Sequence, residues 1–242
     1  MNKRINSFSK ILACVLFFFL SSFNNYAQDT IVNKYGLQVI SSIKGYQASI
    51  RDNPGKDMLD LKKLIPSLTI DLKYAGANNF METKVYPKIK TTYLRKPAAA
   101  ALAAVQRELK ENELGLKIFD AYRPYAVTEK MWELVKDDRY AADPKKGSGH
   151  NRGISVDLTI IDLQTKRPLD MGTTFDDFSD TAHHDFQALP KEVLLNRLLL
   201  RNIMEKNGFK ALETEWWHYS FSNGIQYELL DLSFEQLRKL KI

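Results

Sequence analysis

Of the four histidines in the chain, His150, His183, His184 and His218, two stand where a metal could be held. His150 lies in the run Ser148-Gly149-His150-Asn151-Arg152-Gly153-Ile154-Ser155-Val156-Asp157, and His218 closes Glu215-Trp216-Trp217-His218. Two ring nitrogens and one carboxylate, from His150, Asp157 and His218, fill three positions of a tetrahedral zinc ion and leave the fourth open, as in a catalytic site; a fourth protein ligand would make it structural. A carboxylate close to the metal but not bound to it can take a proton from the attacking water and deliver it to a leaving amine, and Glu215 is the candidate. Arg123, in Asp120-Ala121-Tyr122-Arg123-Pro124, offers positive charge for the oxyanion of a tetrahedral intermediate, a role typically worth about 3 kcal/mol of barrier. It can equally be an ion-pair partner of Asp120. Together these residue types point to hydrolysis of an amide. His183 and His184 lack ligand spacing and read, beside Asp180 and Asp185, as a polar loop or helix start.

Such a site makes demands on the chain. Donors about 2 Å from one zinc lie within about 4 Å of each other, whereas seven residues of straight strand would hold His150 and Asp157 roughly 23 Å apart. The chain must therefore fold back between them, and Asn151-Arg152-Gly153 is the turn-forming stretch that permits it. Glu215 and His218 are an odd number of residues apart and would face opposite sides of a regular strand, so Glu215 is expected at a bend or before the strand begins.

The elements that could meet these demands are legible in periodicity. Pro97 opens an Ala-rich helix with Leu102, Val105 and Leu109 at helical spacing, closed by Gly115. Leu116 to Phe119 alternates as a strand, and Arg123-Pro124 begins a second helix with Val127, Met131 and Val135 in register, which leaves Asp120 and Arg123 in the loop between. From Ile154 to Ile160 apolar residues alternate with Ser155, Asp157 and Thr159, the pattern of a half-buried strand with Asp157 on its polar face. Residues 191–207 predict a third helix with Leu195, Leu199 and Ile203 as its stripe and Gly208 as its stop. Trp217, Tyr219 and Phe221 alternate in a late strand, with Trp216 and Trp217 expected to wall the site and fill the core. Strands and helices without a regular βαβ rhythm argue for an α+β fold.

With 44% apolar and 26% charged residues, 11 Gly and 8 Pro, the composition excludes a disordered, collagenous or disulfide-stapled chain. Residues 1–27 have the layout of a signal peptide: Lys3, Arg4 and Lys10, then the apolar run ILACVLFFFL, then small and polar residues up to a cleavage site after Ala27. An uncleaved anchor is the alternative, but ten apolar residues span only about half a bilayer core. Cys14 sits too early in that run for a lipid anchor. Without the leader, the formal charge falls from +6 to about +3, too little to imply nucleic acid, and no cysteine remains. The expectation is an exported protein, periplasmic or secreted, free of disulfides and without stable membrane insertion after cleavage. Residues 28–56 show no strong period and read as an N-terminal extension, followed by one domain over 57–242.

The run from Ser148 to Asp157, the Glu-Trp-Trp-His at 215–218 and Asp-Ala-Tyr-Arg-Pro at 120–124 together resemble the VanX-type D-alanyl-D-alanine dipeptidases, zinc peptidases of the M15 family. The resemblance extends from Ile70-Asp71-Leu72-Lys73-Tyr74-Ala75 and Asn78-Asn79-Phe80, through Met171-Gly172-Thr173-Thr174-Phe175-Asp176, to about residue 230. It implies one zinc per chain held by His150, Asp157 and His218, Glu215 as acid/base and Arg123 stabilising the transition state. It further implies that Ser148, Tyr74 and Asp176 line a dipeptide pocket, with Asp176 facing the substrate's free amine. The fold it implies is a single α+β domain of the M15 and hedgehog-like zinc peptidase type, with a mainly antiparallel central sheet flanked by helices and the zinc site on the sheet. Ile154-Ser155 stands where many relatives have Ser-Ala, a departure that does not touch a ligand. The expected activity is hydrolysis of D-alanyl-D-alanine and related D-amino-acid dipeptides, in salvage or cell-wall turnover. A D,D-carboxypeptidase or endopeptidase acting on peptidoglycan stems and a non-catalytic zinc protein binding wall peptides remain the alternatives; retention of Glu215 counts against the last.

Overall fold

The strands expected around Phe119 and Asp157 are the second and third of a five-stranded sheet. The computed structural model describes residues 30–240, so the leader read over 1–27, with Cys14, lies outside the described residues. In chain order the elements are β1 (Thr30–Val32), β2 (Gln38–Ile40), α1 (Ile43–Asp52), β3 (Met58–Asp60), α2 (Leu61–Leu64), β4 (Thr69–Ile70), β5 (Tyr93–Arg95) and α3 (Lys96–Lys110). There follow β6 (Leu114–Asp120), α4 (Tyr125–Leu134), α5 (Gly149–Arg152), β7 (Ser155–Asp162), α6 (Lys191–Lys206), β8 (Phe209–Leu212), β9 (Glu215–Phe221), β10 (Leu229–Leu230) and α7 (Phe234–Lys239).

The main sheet has the order β4-β6-β7-β9-β8. Only β4 is parallel to its neighbour; β6, β7, β9 and β8 pair antiparallel, as expected. Helices α3 and α6 cover one face: Leu102, Val105 and Leu109 of α3 and Leu200, Ile203 and Met204 of α6 join Ile118, Val156, Leu158 and Ile160 in one core. Each such side chain contributes about 1.5–3 kcal/mol on burial. Because side chains alternate along a strand, Ser155, Asp157 and Thr159 must project from the opposite face, where the site is built.

Residues 30–56, read as an extension, are folded against the domain from residue 30 onward. Strand β2 pairs parallel to β10, Val39 opposite Leu229, and Tyr46 of α1 is buried, its hydroxyl donating to Asp57 Oδ1 at 2.8 Å and accepting from the Met58 amide at 2.6 Å. Buried Arg95 ties these parts together, donating to the carbonyls of Lys56, Arg152 and Glu228. No helix among the described residues is long and apolar enough to cross a membrane.

Three expectations need correction. The stripe of α6 is not Leu195, Leu199 and Ile203: Leu195 and Leu199 are exposed, and the inward face is Val193, Arg197, Leu200, Ile203 and Met204. Arg197 disguises it, a cation buried because its guanidinium donates to the carbonyls of Met171, Thr181 and His183. Strand β7 is not half-buried, since every residue from Ser155 to Ile161 is buried; its polar side lies beneath the site rather than in solvent. Gly115 does not close α3, which ends at Lys110; it lies in β6, where a Cβ would meet Leu163 Cδ2 at 2.7 Å.

Candidate metal centre and pocket

His150 is carried by the single turn of α5. Ser148 caps it, its hydroxyl accepting from the His150 amide at 3.1 Å, while the Ser148 amide donates to Asn151 Oδ1 at 3.0 Å. The turn ends at Gly153 in the left-handed region, φ +71°, where a Cβ would come within 2.6 Å of the Met58 thioether. This is the expected reversal between His150 and Asp157. The buried Asn151 amide also donates to the Arg123 carbonyl at 2.9 Å and to Thr128 Oγ1 at 2.8 Å, locking α5 onto the start of α4.

Asp157 and His218 are direct cross-strand partners of β7 and β9, so their side chains share a face. Glu215 reaches that face through an irregularity. Ala211 of β8 pairs with Tyr219 but the next residue, Leu212, pairs with Glu215, so Trp216, Trp217 and His218 bulge out of the β8 register. Glu215 therefore stands at the first residue of β9 with Oε2 3.8 Å from His218 Nδ1, the bend that the odd spacing required.

Three donor residues converge. His150 Nε2 lies 3.2 Å from His218 Nδ1 and 3.4 Å from Asp157 Oδ2, and His218 Nδ1 lies 2.9 Å from Asp157 Oδ1. Ligand atoms of these three residues all fall within 4.8 Å of one another, the only such group of three or more His, Cys, Asp or Glu among the described residues. A backbone carbonyl only accepts, so the 2.7 Å contact of His150 Nδ1 with Ala121 O places the ring proton on Nδ1 and turns the Nε2 lone pair toward the cluster. The donor set of two imidazoles and one carboxylate thus fits a divalent metal with an open coordination position. Burial works against charge on Asp157, but His150 and His218 outweigh it and hold the carboxyl below the usual carboxylate range.

Arg123 is an ion-pair partner of Asp120 and also lines the cavity beside the three converging residues. Its Nε and Nη2 grip Asp120 Oδ2 at 3.0 and 2.9 Å, and Nη2 also reaches within 3.9 Å of Asp157 Oδ2. Asp120 is fully buried and further satisfied by the Tyr86 hydroxyl at 2.9 Å and the Ala121 amide at 2.9 Å. Burial penalises the guanidinium charge, yet Asp120, together with Tyr74, Tyr86 and Asp157, more than compensates, and its pKa is raised well above the ordinary value. Burial also pushes the Glu215 carboxyl up to about 7, with His218 opposing.

Tyr74 and Asp176 meet across the pocket. The Tyr74 hydroxyl donates to Asp176 Oδ1 at 3.1 Å, and the Tyr74 ring lies 5.4 Å from the Arg123 guanidinium carbon. Burial first, and Asp157 next, raise the Asp176 carboxyl well above its usual range. All eight residues singled out in the sequence, Tyr74, Arg123, Ser148, His150, Asp157, Asp176, Glu215 and His218, line one cavity of about 220 Å³. That lies below the ~300–1,000 Å³ usual for drug-sized ligands and suits a smaller one. His183 and His184 lie outside its lining, as expected; the His184 amide donates to Glu213 O at 2.9 Å.

Two residues of the wall, Phe80 and Tyr140, received no site role from the sequence. Tyr140 stacks on Phe178 with ring centres 4.7 Å apart, Phe178 meets Phe80 at 5.4 Å, and Phe80 meets Tyr74 edge-on at 6.1 Å. These rings come from three separate connections, and nothing in their spacing announces that they meet. Trp217 does wall the cavity, as expected, while Trp216 donates its indole N–H to Thr173 Oγ1 at 2.8 Å.

Residues 55–235 match the Peptidase_M15 family, described as D-ala-D-ala dipeptidase. The chain is 36% identical over 174 residues to the D-alanyl-D-alanine dipeptidase of Escherichia coli (strain K12), covering 72% of this chain and 89% of that protein. It is 29% identical over 180 residues to the D-alanyl-D-alanine dipeptidase of Enterococcus faecalis (strain ATCC 700802 / V583), covering 66% of this chain and 89% of the relative. A solved LdcB LD-carboxypeptidase aligns with 55% of this chain and 61% of its own at 22% identity, with a TM-score of 0.35.

Proposed function

The chain belongs to the Peptidase_M15 family, and from that premise we propose that it is a zinc-dependent dipeptidase that hydrolyses D-alanyl-D-alanine and related D-amino-acid dipeptides. The observation that carries this reading is the convergence of His150, Asp157 and His218 with Glu215 and Arg123 on one small, walled cavity. His150 through Nε2, Asp157 through its carboxylate and His218 through Nδ1 would hold the zinc. The ion, when bound, supplies Lewis-acid polarisation of the scissile carbonyl and a lowered pKa for water.

The chain's own groups do the rest. Glu215 takes a proton from the attacking water as the new C–O bond forms, then returns it to the amide nitrogen as the C–N bond breaks, releasing a free amine and a carboxylate. A carboxyl with a pKa near 7 suits both halves of that transfer at neutral pH. Arg123, fixed by Asp120, presents its charge to the oxyanion. Asp176, braced by Tyr74, faces the substrate's free amine, and Ser148 completes the pocket beside His150. The small volume of the cavity favours a free dipeptide over an N-blocked or longer stem.

The deciding assay is release of free D-Ala from unblocked D-Ala-D-Ala by the purified mature chain, with and without a chelator and with zinc added back. Release that stops on chelation and returns with zinc is expected. Faster cleavage of N-blocked or longer wall peptides would favour the carboxypeptidase or endopeptidase reading. No turnover of either by folded, zinc-loaded protein would leave a wall-peptide-binding protein.

Arg123→Ala is expected to lower kcat about 10²- to 10³-fold with zinc retained. Since it also strands buried Asp120, a melting curve must accompany the rate measurement; a near-normal kcat in folded protein would reduce Arg123 to an ion-pair partner. The leader supports export, and an exported dipeptidase suits salvage or wall turnover. Cell fractionation that finds the mature protein in the cytoplasm would overturn that part.

A further inference from the structure

The imidazole of His218 is engaged on both sides. Nδ1 faces Asp157 and His150, while Nε2 points away from them and meets Ser220 Oγ at 3.2 Å. A neutral ring that keeps the Nδ1 lone pair for a metal must carry its hydrogen on Nε2, and that hydrogen needs an acceptor. Ser220 supplies it. A hydroxyl that accepts there can spend its own hydrogen elsewhere, and the Ser155 hydroxyl lies 2.6 Å from Ser220 Oγ. Ser220 Oγ thus accepts the His218 Nε2 hydrogen, and either serine can donate in the contact between the two hydroxyls.

Three features place this pair deliberately. Ser155 and Ser220 are cross-strand partners of β7 and β9, two residues along each strand from Asp157 and His218, so the pair lies directly behind the ligands on the same face. Ser155 is fully buried, where a hydroxyl is costly unless hydrogen-bonded. The room for its oxygen exists because residue 149 is glycine: a Cβ there would stand 1.9 Å from Ser155 Oγ. The counterpart bond, His150 Nδ1–H to Ala121 O, uses a backbone carbonyl that no substitution removes. His218 depends instead on a side chain.

We propose that Ser220, backed by Ser155, is a positioning residue for His218, fixing the tautomer and rotation that turn Nδ1 toward the metal. The inference rests on the reading of His218 as a zinc ligand. Groups that orient a ligand histidine in this way are typically worth about 10- to 100-fold in metal affinity.

The test is zinc affinity of the mature protein, measured by competition with a chromophoric chelator and therefore independent of turnover. Ser220→Ala is expected to bind zinc about 10- to 100-fold more weakly and to reduce the zinc-dependent gain in melting temperature, with the metal-free melting temperature lowered because buried Ser155 loses its partner. Ser220→Thr, which keeps the hydroxyl on a strand that tolerates β-branching, is expected to restore affinity to within a few-fold of the wild type. Ser155→Ala is expected to weaken binding less than Ser220→Ala. Wild-type zinc affinity in Ser220→Ala overturns the proposal; should that variant not fold, wild-type affinity in Ser155→Ala overturns it instead. A wild-type chain that binds no zinc fails at the control and overturns the metal reading itself, a result separable from tight wild-type binding that is indifferent to residue 220.

Discussion

Glu215→Gln is expected to cut kcat for D-Ala-D-Ala by about 10²- to 10⁴-fold while the zinc content stays at one per chain. Gln keeps the volume and one acceptor oxygen of Glu but can neither take a proton from water nor give one to the departing amine. The loss should therefore fall on kcat rather than KM, since nothing that holds the ground-state substrate is removed. Retention of zinc is the sharper half of the prediction. Glu215 stands 3.8 Å from His218 Nδ1, but the group of converging ligand atoms consists of His150, Asp157 and His218 without it. Zinc analysis of the purified variant checks this. Loss of metal would make Glu215 a fourth ligand and transfer the proton shuttle to another residue.

His218→Ala should behave differently, losing zinc and activity together. One of three donors disappears from the centre of the cluster, and the several kcal/mol of transition-state stabilisation supplied by the metal goes with it, a fall of about 10³-fold or more. The variant also removes the partner that Asp157 meets at 2.9 Å, leaving a buried carboxylate with His150 as its nearest cation-capable neighbour. Metal content by elemental analysis and turnover measured on the same sample decide it. Full zinc occupancy with activity lost would remove His218 from the ligand set.

Much of this site was readable from residue types because the chemistry restricts them severely. His150, Asp157, His218 and Glu215 could be nominated without coordinates, and the strand period correctly predicted that Asp157 and His218 lie on strands. The fold-back at Asn151-Arg152-Gly153 followed from distance and turn-forming residues, and the bend at Glu215 from its odd spacing to His218. What escaped were features that depend on partners far away in the chain. The inward stripe of α6 contains Arg197, acceptable there only because three loop carbonyls receive its protons, and nothing local to the helix signals them. The aromatic contacts among Phe80, Tyr140 and Phe178 arise between connections without period. Ser155 looked like a harmless departure, because its hydroxyl reaches a ligand only through Ser220 on another strand.

Ala121 joins the two halves of the centre. Its amide is held by Asp120, the carboxylate that also grips Arg123, and its carbonyl holds His150. One peptide segment thus sets the separation between His150 and Arg123, and Asn151 holds the Arg123 carbonyl just beyond it. The ordering entropy of these groups is settled when the chain folds, not when an ion or a substrate arrives. This is the reverse of a zinc finger, where binding and folding are one event. Chelation should accordingly yield a compact, refillable apoprotein, and the heat-capacity change on zinc uptake should be small because little apolar surface is left to bury.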